Sequence, residues 1–461
     1  MSIFGKVGAM FRRVRGRSLQ SSSRRILVSN IPSHGPPTPK FLPITGGFVE
    51  CLCSDLVLGG PLTSMFYPTA GHLSLIQKIS TPLQKTFARP IASQRPNMTP
   101  NIRVLLVGNG GREHAIAWKL LQSPSIDHIY VVPGNGGTAN LEKVSNVDAI
   151  KQEDFPALVK FAKENNVNLV IPGPEAPLVA GIVDYFDKYA GIRCFGPSEA
   201  AARMEGSKTF SKDFMKRHGI PTAAYENFAD YEGAKKYLDS ISHNVVIKAS
   251  GLAAGKGVII PQTKEEAQDA LKEIMLDKEF GAAGDEVVIE EFLEGDELSI
   301  LSFSDGMTIK SLPPAQDHKR IGEGDTGPNT GGMGTYAPTR IAPPEVIDAV
   351  QKDILQPTID GMREEGFTFK GVLFTGLMMT KSGAKVLEYN VRFGDPETQS
   401  LLALMESDLA EVMVACTEGK LGDTDVRVSK KSAATVVVAA GGYPGSYKKG
   451  TVMTLDPVPE G

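Results

Sequence analysis

One pattern near the end of the chain places a carboxylate and an amide two residues apart. Lys385–Asn390 alternates polar and apolar residues as a strand does, which predicts that Glu388 and Asn390 share one face. Arg392 keeps the same parity if the strand continues. Carboxylate and amide oxygens suit Mg²⁺ bridged to nucleotide phosphates. A solvent-facing polar edge is the alternative, but the dense polar turn from Arg392 to Gln399 is unlike a surface strand exit.

Two glycine-rich loops have the composition of phosphate-binding turns. The first, Gly108-Asn109-Gly110-Gly111, comes after an apolar run and opens a helical pattern. Its backbone N–H groups and the positive end of the helix would face an anion. Glu113 stands where a dinucleotide fingerprint has its third glycine, so a generic phosphate site is favoured over NAD. A tight turn without a ligand stays open.

The second glycine-rich loop runs from Lys248 to Val258. It lacks the Ser or Thr and the helix that come after the lysine of a P-loop, and the β-branched run Val258–Ile260 predicts a strand instead. We therefore expect a strand–loop–strand flap with Lys256 near its tip. Lys248 and Lys256 would offset the charge of triphosphate oxygens beneath the closed flap. A purely structural hairpin is the alternative.

An acidic strand end offers groups that could bind a nucleoside. Glu290-Glu291-Phe292-Leu293 supplies backbone groups for the edge of an adenine, and Glu297 supplies a carboxylate for ribose hydroxyls. Taken alone this signal is weak, because an acidic strand end is usually only solvated.

These groups need a scaffold, and the elements along the chain predict one. Strands and helices alternate from Arg103 to about residue 200, which predicts a parallel sheet with helices on its faces. An α+β module begins at Ser207. The Gly- and Pro-rich segment Pro313–Gly334 is predicted to be a long functional loop. A continuous helix is predicted over Pro344–Glu365, ahead of strands at Phe374–Thr380 and 385–390.

Composition excludes several classes of protein. The chain has 461 residues, of which 41% are hydrophobic and 22% charged, so global disorder is excluded. Apolar runs fall short of the 18 or so residues that a membrane span needs. The four cysteines are too few for a disulfide scaffold, and they include no pair of Cys-x-x-Cys units for structural zinc.

The charge is divided unevenly along the chain. Residues 1–100 hold 12 basic and 2 acidic residues, which leaves 37 basic and 51 acidic residues beyond them. An Arg- and Ser-rich, acid-poor beginning predicts an organellar import segment, with a disordered basic tail as the alternative. The acidic remainder argues against non-specific nucleic-acid or membrane partners.

Six motifs in order resemble the phosphoribosylamine–glycine ligase family, whose members are ATP-grasp enzymes of purine synthesis. The resemblance runs from about residue 102 to the end of the chain. It is specific, because a generic ATP-grasp protein would share the flap and the carboxylate strand but not the segments Gln316–Arg320 and Asp325–Gly334. The motifs are Gly108–His114, Gly173–Leu178, Lys248–Val258, Gln316–Arg320, Asp325–Gly334 and Asn390–Gln399.

The resemblance implies a chain of both α/β and α+β type. Residues 101–203 would form an N-terminal parallel α/β domain, and residues 204–425 a two-lobed ATP-grasp domain with the flap-bearing lobe at about 206–297. Residues 426–461 would be a truncated C-terminal domain, since family members continue well past the motif at Gly441–Gly445. Residues 1–100 would be the import segment, directing a monomer to the plastid stroma or the mitochondrion.

The resemblance also implies the substrates ATP, glycine and 5-phosphoribosylamine, with Mg²⁺ or Mn²⁺ as the metal held by Glu388 and Asn390. The residues implied to bind the nucleotide are Lys208, Lys248, Gly255, Gly257, Glu290, Glu291, Leu293 and Glu297. Those implied to surround the other substrates are Gly110, Gly111, Lys319, Arg320, Asn329, Thr330, Gly331 and Gly332. Catalytic roles fall to Lys256, Arg392 and Asp317.

Three other functions stay open at this point. A nucleotide-binding protein without turnover would keep the flap but release no ADP when glycine is added. A nicotinamide oxidoreductase rests on the first glycine loop alone. A related ATP-grasp carboxylase would take bicarbonate in place of glycine.

Overall fold

The computed structural model describes residues 101–253 and 256–451, together with the two-residue strands Arg25–Ile26 and Leu42–Pro43, which pair antiparallel. The rest of the predicted import segment, Gly255 and residues 452–461 lie outside the described residues. The import prediction and the predicted role of Gly255 therefore stay predictions.

A parallel five-stranded sheet opens the described body, as the sequence predicts. Its strands are β1 (Ile102–Gly108), β2 (Ile126–Pro133), β3 (Val144–Asn146), β4 (Leu169–Pro172) and β5 (Arg193–Cys194). They lie in the order β3-β2-β1-β4-β5. Successive residues Val104 to Val107 are fully buried, so both faces of β1 are covered.

The strand order places two glycine turns side by side. The chain goes outward from β1 to β3 and then returns to β4, so the carboxyl ends of β1 and β4 meet at a topological switch point, the usual ligand edge of such sheets. Gly108 ends β1 and Gly173 comes directly after β4, and the Gly173 N–H donates to Val107 O at 2.8 Å. The fold therefore joins two motifs that lie 65 residues apart.

Polar side chains cap several of the helices at their first turn. Asp154 caps one of them by accepting the Ala157 N–H at 3.0 Å, and Ser207 caps another by accepting the Phe210 N–H at 3.2 Å. In the described ranges no helix is both long and apolar enough to cross a membrane. The α-helices are α1 (Gly111–Leu120), α2 (Phe155–Glu164), α3 (Glu175–Val179), α4 (Ile182–Ala190), α5 (Glu199–Gly206), α6 (Lys208–Arg217), α7 (Tyr231–Ser240), α8 (Lys264–Met275), α9 (Pro344–Val350), α10 (Gln356–Glu364), α11 (Glu397–Leu404) and α12 (Leu409–Glu418).

A four-stranded antiparallel sheet carries the predicted flap. Its strands are β6 (Tyr225–Phe228), β7 (Val245–Ala249), β8 (Val258–Ile259) and β9 (Val287–Glu291), in the order β8-β7-β9-β6. Ile247 and Ile289 from the sheet pack against Leu271 and Ile274 of α8 in one small core. The predicted strand–loop–strand arrangement of β7 and β8 is confirmed.

A second four-stranded antiparallel sheet carries the acidic strand end and the carboxylate strand. It consists of β10 (Asp296–Ser304), β11 (Ile309–Ser311), β16 (Gly371–Thr380) and β17 (Gly383–Asn390), in the order β11-β10-β16-β17. Leu298, Leu377 and Val386 from these strands share a core with Leu105 of the parallel sheet. The large core therefore fixes the two sheets against each other.

Residues 313–334 are not the long loop that composition predicts. They contain the short strands β12 (Gln316–Asp317), β13 (Arg320–Gly322) and β14 (Thr326–Asn329), and β15 (Gly334–Ala337) comes next. Strands β12, β15 and β18 (Ala433–Val436) form one sheet, whereas β13 and β14 form a separate pair. Strands of two to four residues leave too short a pattern in the sequence to be recognised.

The predicted helix over 344–365 is interrupted. A π-helical turn at Gln351–Leu355 separates α9 from α10. Pro357 is the physical reason, because it has no N–H to donate to the carbonyl of Asp353 and its ring crowds that carbonyl.

Candidate active site

A cleft of about 1190 Å³ is lined by the parallel domain, the flap sheet and the second antiparallel sheet. It collects almost every predicted site residue, although their individual roles stay predictions. The predicted site residues that line it are Gly110, Gly111, Lys208, Lys248, Gly257, Glu290, Glu291, Leu293, Glu297, Asp317, Lys319, Arg320, Asn329, Thr330, Gly331, Gly332, Glu388, Asn390 and Arg392.

Lys256, predicted near the tip of the flap, is not among the residues that line the cleft. The side chain of Lys256 is exposed, and its backbone N–H donates to Ala253 O at 2.9 Å. Gly257, the next residue, is buried where a Cβ atom would come within 2.7 Å of Ala253 Cβ. A role for Lys256 over a bound triphosphate therefore requires the flap tip to move.

A buried ion-pair network fixes the lysine of β7. Lys248 Nζ lies 3.0 Å from Glu290 Oε1 and donates to Leu387 O at 3.0 Å. The other carboxylate oxygen of Glu290 lies 3.0 Å from Lys212 Nζ. Glu290 is 2% exposed, and two positive partners offset much of the cost of burying its charge. The Glu290 side chain thus positions two lysines, and its backbone lies in a strand that is paired with β6 and β7 on either side.

The two further carboxylates of the acidic strand end also have lysine partners. Glu291 Oε1 accepts from Lys385 Nζ at 2.9 Å, and this hydrogen bond holds the pKa of Glu291 below its usual value. Glu297 Oε2 accepts from Lys319 Nζ at 3.0 Å. The residue predicted to bind ribose and one predicted to bind substrate are therefore paired with each other at the rim.

Lys208 lies at the base of the flap. It is the first residue of α6, and its Nζ donates to Gly251 O at 3.3 Å while its backbone N–H donates to Ser250 O at 2.8 Å. Burial lowers the pKa of Lys208, and the neighbouring charge of Lys248 lowers it further. A phosphate bound between Lys208 and Lys248 would relieve this repulsion.

A β-bulge in β17 brings the predicted metal ligands to the cleft. Leu387 is an extra residue relative to β16, and this shifts the alternation of the strand. Val386 and Tyr389 lie three residues apart, and both are nevertheless buried in the core. Glu388 and Asn390 face the cleft.

The charges around Glu388 keep it ionised. Burial alone would raise the pKa of Glu388, but Lys319, Lys248 and Lys208 together lower it. Asn390 Oδ1 accepts from Arg392 Nη2 at 3.3 Å. The described residues contain no group of three or more His, Cys, Asp or Glu side chains suited to a metal. An ionised carboxylate beside an amide oxygen fits a Mg²⁺ ion that takes its remaining ligands from phosphates and water.

Arg392 joins the strand end to two other segments. Its Nε lies 3.3 Å from Glu175 Oε2, and its Nη2 lies 3.2 Å from Glu205 Oε1. Its Nη1 donates to Phe393 O at 3.2 Å, and the same carbonyl accepts from Arg112 Nη1 at 3.2 Å. Two guanidinium groups therefore converge on one backbone turn.

The side chain of Glu113 occupies the turn formed by the first glycine loop, Gly108–Gly111. The Glu113 carboxylate accepts the Gly110 N–H at 2.5 Å and Arg112 Nε at 2.7 Å. A Cβ atom on Gly173 would lie 1.9 Å from Glu113 Oε1, so only glycine fits there. The Glu113 side chain thus occupies the turn where a dinucleotide would need close backbone approach, which removes the basis of the NAD alternative.

Asp317 is wedged between two backbone turns. Its Oδ1 accepts the His318 N–H at 2.7 Å. Burial and the nearby carboxylate of Glu397 raise the pKa of Asp317 well above its usual value. Gly332, with φ of +115°, allows this packing, because a Cβ atom there would lie 2.9 Å from Asp317 Oδ1 and 2.4 Å from Pro396 Cδ.

The remaining predicted substrate residues form the rim beside Asp317. Thr330 donates through its backbone N–H and its hydroxyl to Lys319 O, at 2.8 and 2.7 Å. The Gly331 N–H donates to the Tyr443 hydroxyl at 3.1 Å. Arg320 and Asn329 are exposed and face each other across β13 and β14.

Sequence reasoning missed several residues of this cleft, chiefly Lys212, Glu175, Glu205 and Arg112. A signal existed for Lys212, because it lies four residues after Lys208 on one helix and so shares its face. The partners of Arg392 come from segments about 190 and 220 residues away, and no local pattern predicts such contacts.

The fold and the site together define an ATP-grasp protein: a lysine-bearing flap sheet and a second antiparallel sheet enclose a cleft that ends on a carboxylate strand. More narrowly, the chain belongs to the phosphoribosylglycinamide synthetase family. The model of that family's N domain matches residues 102–205, and the model of its ATP-grasp (A) domain matches residues 206–398.

Relatives agree with this assignment. A bifunctional purine biosynthetic protein of Pichia angusta is 63% identical over 363 residues, covering 78% of this chain and 46% of that protein. The phosphoribosylamine–glycine ligase of Vibrio cholerae is 50% identical over 360 residues, covering 78% of this chain and 83% of that protein. The chain thus spans less than half the length of the bifunctional relative and most of the bacterial ligase.

Solved structures show the same fold. The crystal structure of phosphoribosylamine–glycine ligase from Thermotoga maritima is similar with a TM-score of 0.64 and 32% identity, covering 76% of this chain and 83% of that one. A biotin carboxylase from Campylobacter jejuni is similar with a TM-score of 0.57 at 15% identity, covering 71% and 74%. The second likeness is one of fold alone, so it does not favour the carboxylase alternative.

Proposed function

We propose that this protein joins glycine to 5-phosphoribosylamine at the expense of ATP, giving glycinamide ribonucleotide, ADP and phosphate. One observation carries the proposal. The cleft combines two lysines beneath a flap, an ionised carboxylate beside an amide, and residues of the segment 316–334, all within the range that the family's ATP-grasp domain model matches. Such a site supplies position and positive charge, which phosphoryl transfer requires.

The nucleotide would lie between the flap sheet and the second antiparallel sheet. Lys208 and Lys248 would contact its phosphates, and the strand end at residues 290–293 would contact the adenine, since all of these residues line the cleft. Glu297 would bind the ribose hydroxyls after Lys319 Nζ, which now donates to it, turns to another partner. Closure of the flap would bring Lys256 over the phosphates and exclude water.

Glu388 and Asn390 would hold Mg²⁺ or Mn²⁺ beside the phosphates. A divalent ion bound there would offset the negative charge of the triphosphate. Lys319, Lys248 and Lys208 keep Glu388 ionised, so its carboxylate is available as a metal ligand at neutral pH.

The proposed reaction has two steps. A carboxylate oxygen of glycine attacks the γ-phosphorus, the bond to the β-phosphate oxygen breaks, and ADP leaves as glycyl phosphate forms. The amine nitrogen of phosphoribosylamine then attacks the glycyl carbonyl, loses a proton and expels phosphate. Arg392 would neutralise the transferring group, and Asp317 with Lys319 and Thr330 would surround the two smaller substrates.

The decisive measurement is ADP release that depends on glycine, with freshly generated phosphoribosylamine, Mg²⁺ and ATP. Glu388→Gln should lower kcat by roughly 100-fold or more with little change in melting temperature, because it removes a charged ligand at the reacting phosphate. Glu364→Gln, an exposed change on α10, is the matched control and should act as wild type.

Two outcomes would contradict the proposal. ATP binding without glycine-dependent ADP release would indicate a nucleotide-binding protein without turnover. ADP release that depends on bicarbonate instead of glycine would indicate a carboxylase.

We also propose that residues 1–100 direct import into the plastid stroma, with the mitochondrion as the second destination. The excess of basic over acidic residues in this segment supports the proposal.

A further inference from the structure

The guanidinium of Arg392 is contacted by two carboxylates from distant segments. Glu175 begins α3 shortly after strand β4 of the parallel sheet, and Glu205 lies in the last turn of α5. The Arg392–Glu175 distance is 3.3 Å and the Arg392–Glu205 distance is 3.2 Å. Glu175 is partly exposed, whereas Glu205 is 7% exposed, so Glu205 is the partner that bears the larger cost of burial.

Glu205 makes a second contact that Glu175 does not share. Its Oε2 accepts the backbone N–H of Val391 at 2.7 Å, while its Oε1 lies beside Arg392 Nη2. Val391 stands between Asn390 and Arg392, and the same Nη2 donates to Asn390 Oδ1 at 3.3 Å. One buried carboxylate therefore fixes both the backbone and the charged side chain immediately after the proposed metal ligand.

The position of Glu205 along the chain adds a further link. It lies three residues before Lys208, with only the cap residue Ser207 between the end of α5 and the start of α6. The junction that begins the phosphate-binding helix is thus the same segment that contacts the end of the carboxylate strand.

We propose that Glu205 is a positioning residue that orients Asn390 and Arg392 toward the transferring phosphate. The inference rests on the function proposed above for this cleft. Glu205 lines the cleft, but its two carboxylate oxygens are engaged by the Val391 N–H and by Arg392. It acts through the Val391 amide and the Arg392 guanidinium. Because Glu205 lies just before α6, it also fixes the position of both groups relative to Lys208.

The test compares Glu205→Gln with wild type. Glutamine keeps the size of the side chain and an oxygen for the Val391 N–H, but it removes the charge that faces Arg392. The kcat for glycine-dependent ADP release should fall roughly 10- to 100-fold, which is the usual loss when a residue that orients a metal ligand is changed. The KM for ATP should stay unchanged, whereas the melting temperature should fall, because Arg392 loses one of its two carboxylate partners. Glu199→Gln, an exposed change on the same helix, is the matched control.

A second readout does not depend on turnover. The affinity for Mn²⁺, measured by electron paramagnetic resonance with a non-hydrolysable ATP analogue, should fall about tenfold in Glu205→Gln because Asn390 loses its support. If wild type releases no ADP with glycine while this loss of affinity appears, the proposed function fails and the positioning role stands. Unchanged Mn²⁺ affinity and unchanged kcat would overturn the positioning role.

A double-mutant cycle separates positioning from general structure. In an Arg392→Met background, Glu205→Gln should lower kcat no further, because the group through which it acts is gone. Equal and independent losses would overturn the inference. Should Glu205→Gln fail to fold, Glu205→Asp carries the test. It keeps the charge but shortens the reach, so the inference requires a loss of kcat between those of wild type and Arg392→Met.

Discussion

At the scale of single residues, the cleft depends on charges that are buried in matched sets. Glu290 lies between Lys248 and Lys212, and neither lysine could be buried so deeply without it. Lys248 is consequently held in one place before any nucleotide arrives. Lys212 takes part only indirectly, since its Nζ contacts Glu290 and donates to the Thr222 hydroxyl at 2.7 Å.

Lys212→Met should show this indirect role as a change in pH dependence. Burial lowers the pKa of Lys212 to about 8, below its ordinary value of 10.5. The buried charge therefore costs stability in full below pH 8, and the cost disappears as the pH rises toward 10.5, because there the unfolded chain binds the extra proton. The melting temperature of wild type should rise relative to that of Lys212→Met between pH 8 and 10.

The same variant should bind ATP more weakly, by roughly 1–2 kcal/mol, because Glu290 loses a charged hydrogen bond and no longer holds Lys248 as firmly. Lys216→Met, an exposed change on the same helix, is the control for both measurements. A difference in melting temperature that does not vary with pH would contradict the assignment.

At the scale of elements, the sequence pattern predicted those structural features that depend on residues close together in the chain. The parallel sheet, the flap and the shared face of Glu388 and Asn390 all come from periodicity and glycine placement. The bulge at Leu387 and the short strands of residues 313–334 were not predicted, because pairing with distant strands sets them. The contacts of Glu205 and Glu175 with Arg392 escaped prediction for the same reason.

Gly332→Ala tests how tightly the loop at 329–334 is fixed. The φ of +115° at Gly332 is strained for any other residue, and the added Cβ would meet Pro396 Cδ at 2.4 Å. The variant should lose roughly 1–3 kcal/mol of stability, seen as a lower melting temperature. Its kcat should also fall, because Asp317 must move.

Gly331→Ala is the neighbouring control for stability. Gly331 has no such positive φ, and the nearest atom to its added Cβ is the Tyr443 hydroxyl at 3.6 Å. Equal losses of stability in the two variants would show that backbone strain at Gly332 is not the cause.

At the scale of the whole molecule, hydrogen bonds between segments remote in sequence fix the position of the parallel domain beside the cleft. Lys119 of α1 donates to Met405 O, and Ser123 donates to Asp408 Oδ2 at 2.7 Å. Arg112 adds its bond to Phe393 O. The parallel domain is therefore part of the site's wall, in agreement with the placement of Gly110 and Gly111 in the cleft lining.

The import proposal also belongs to the whole chain. A fusion of residues 1–100 to a fluorescent reporter should collect in plastids of plant cells, since an acid-poor, Arg-rich segment suits translocation into that organelle. The same segment with six of its arginines changed to glutamate is the control. A reporter spread evenly through the cytosol would contradict the proposal, and one found in mitochondria would support the second destination.

The extra residue at position 387 also determines which single-residue deletions strand β17 can tolerate. Losing the codon for Leu387 would leave Glu388 opposite Gly376 and Tyr389 opposite Thr375, so both side chains would keep their faces, although Lys248 would lose the carbonyl that it binds. Losing the codon for Tyr389 would instead bring Asn390 opposite Thr375, on the core side of the sheet. Deletion of Leu387 should therefore preserve the side-chain alternation at Glu388 and Asn390, whereas deletion of Tyr389, two positions later, should turn Asn390 toward the core.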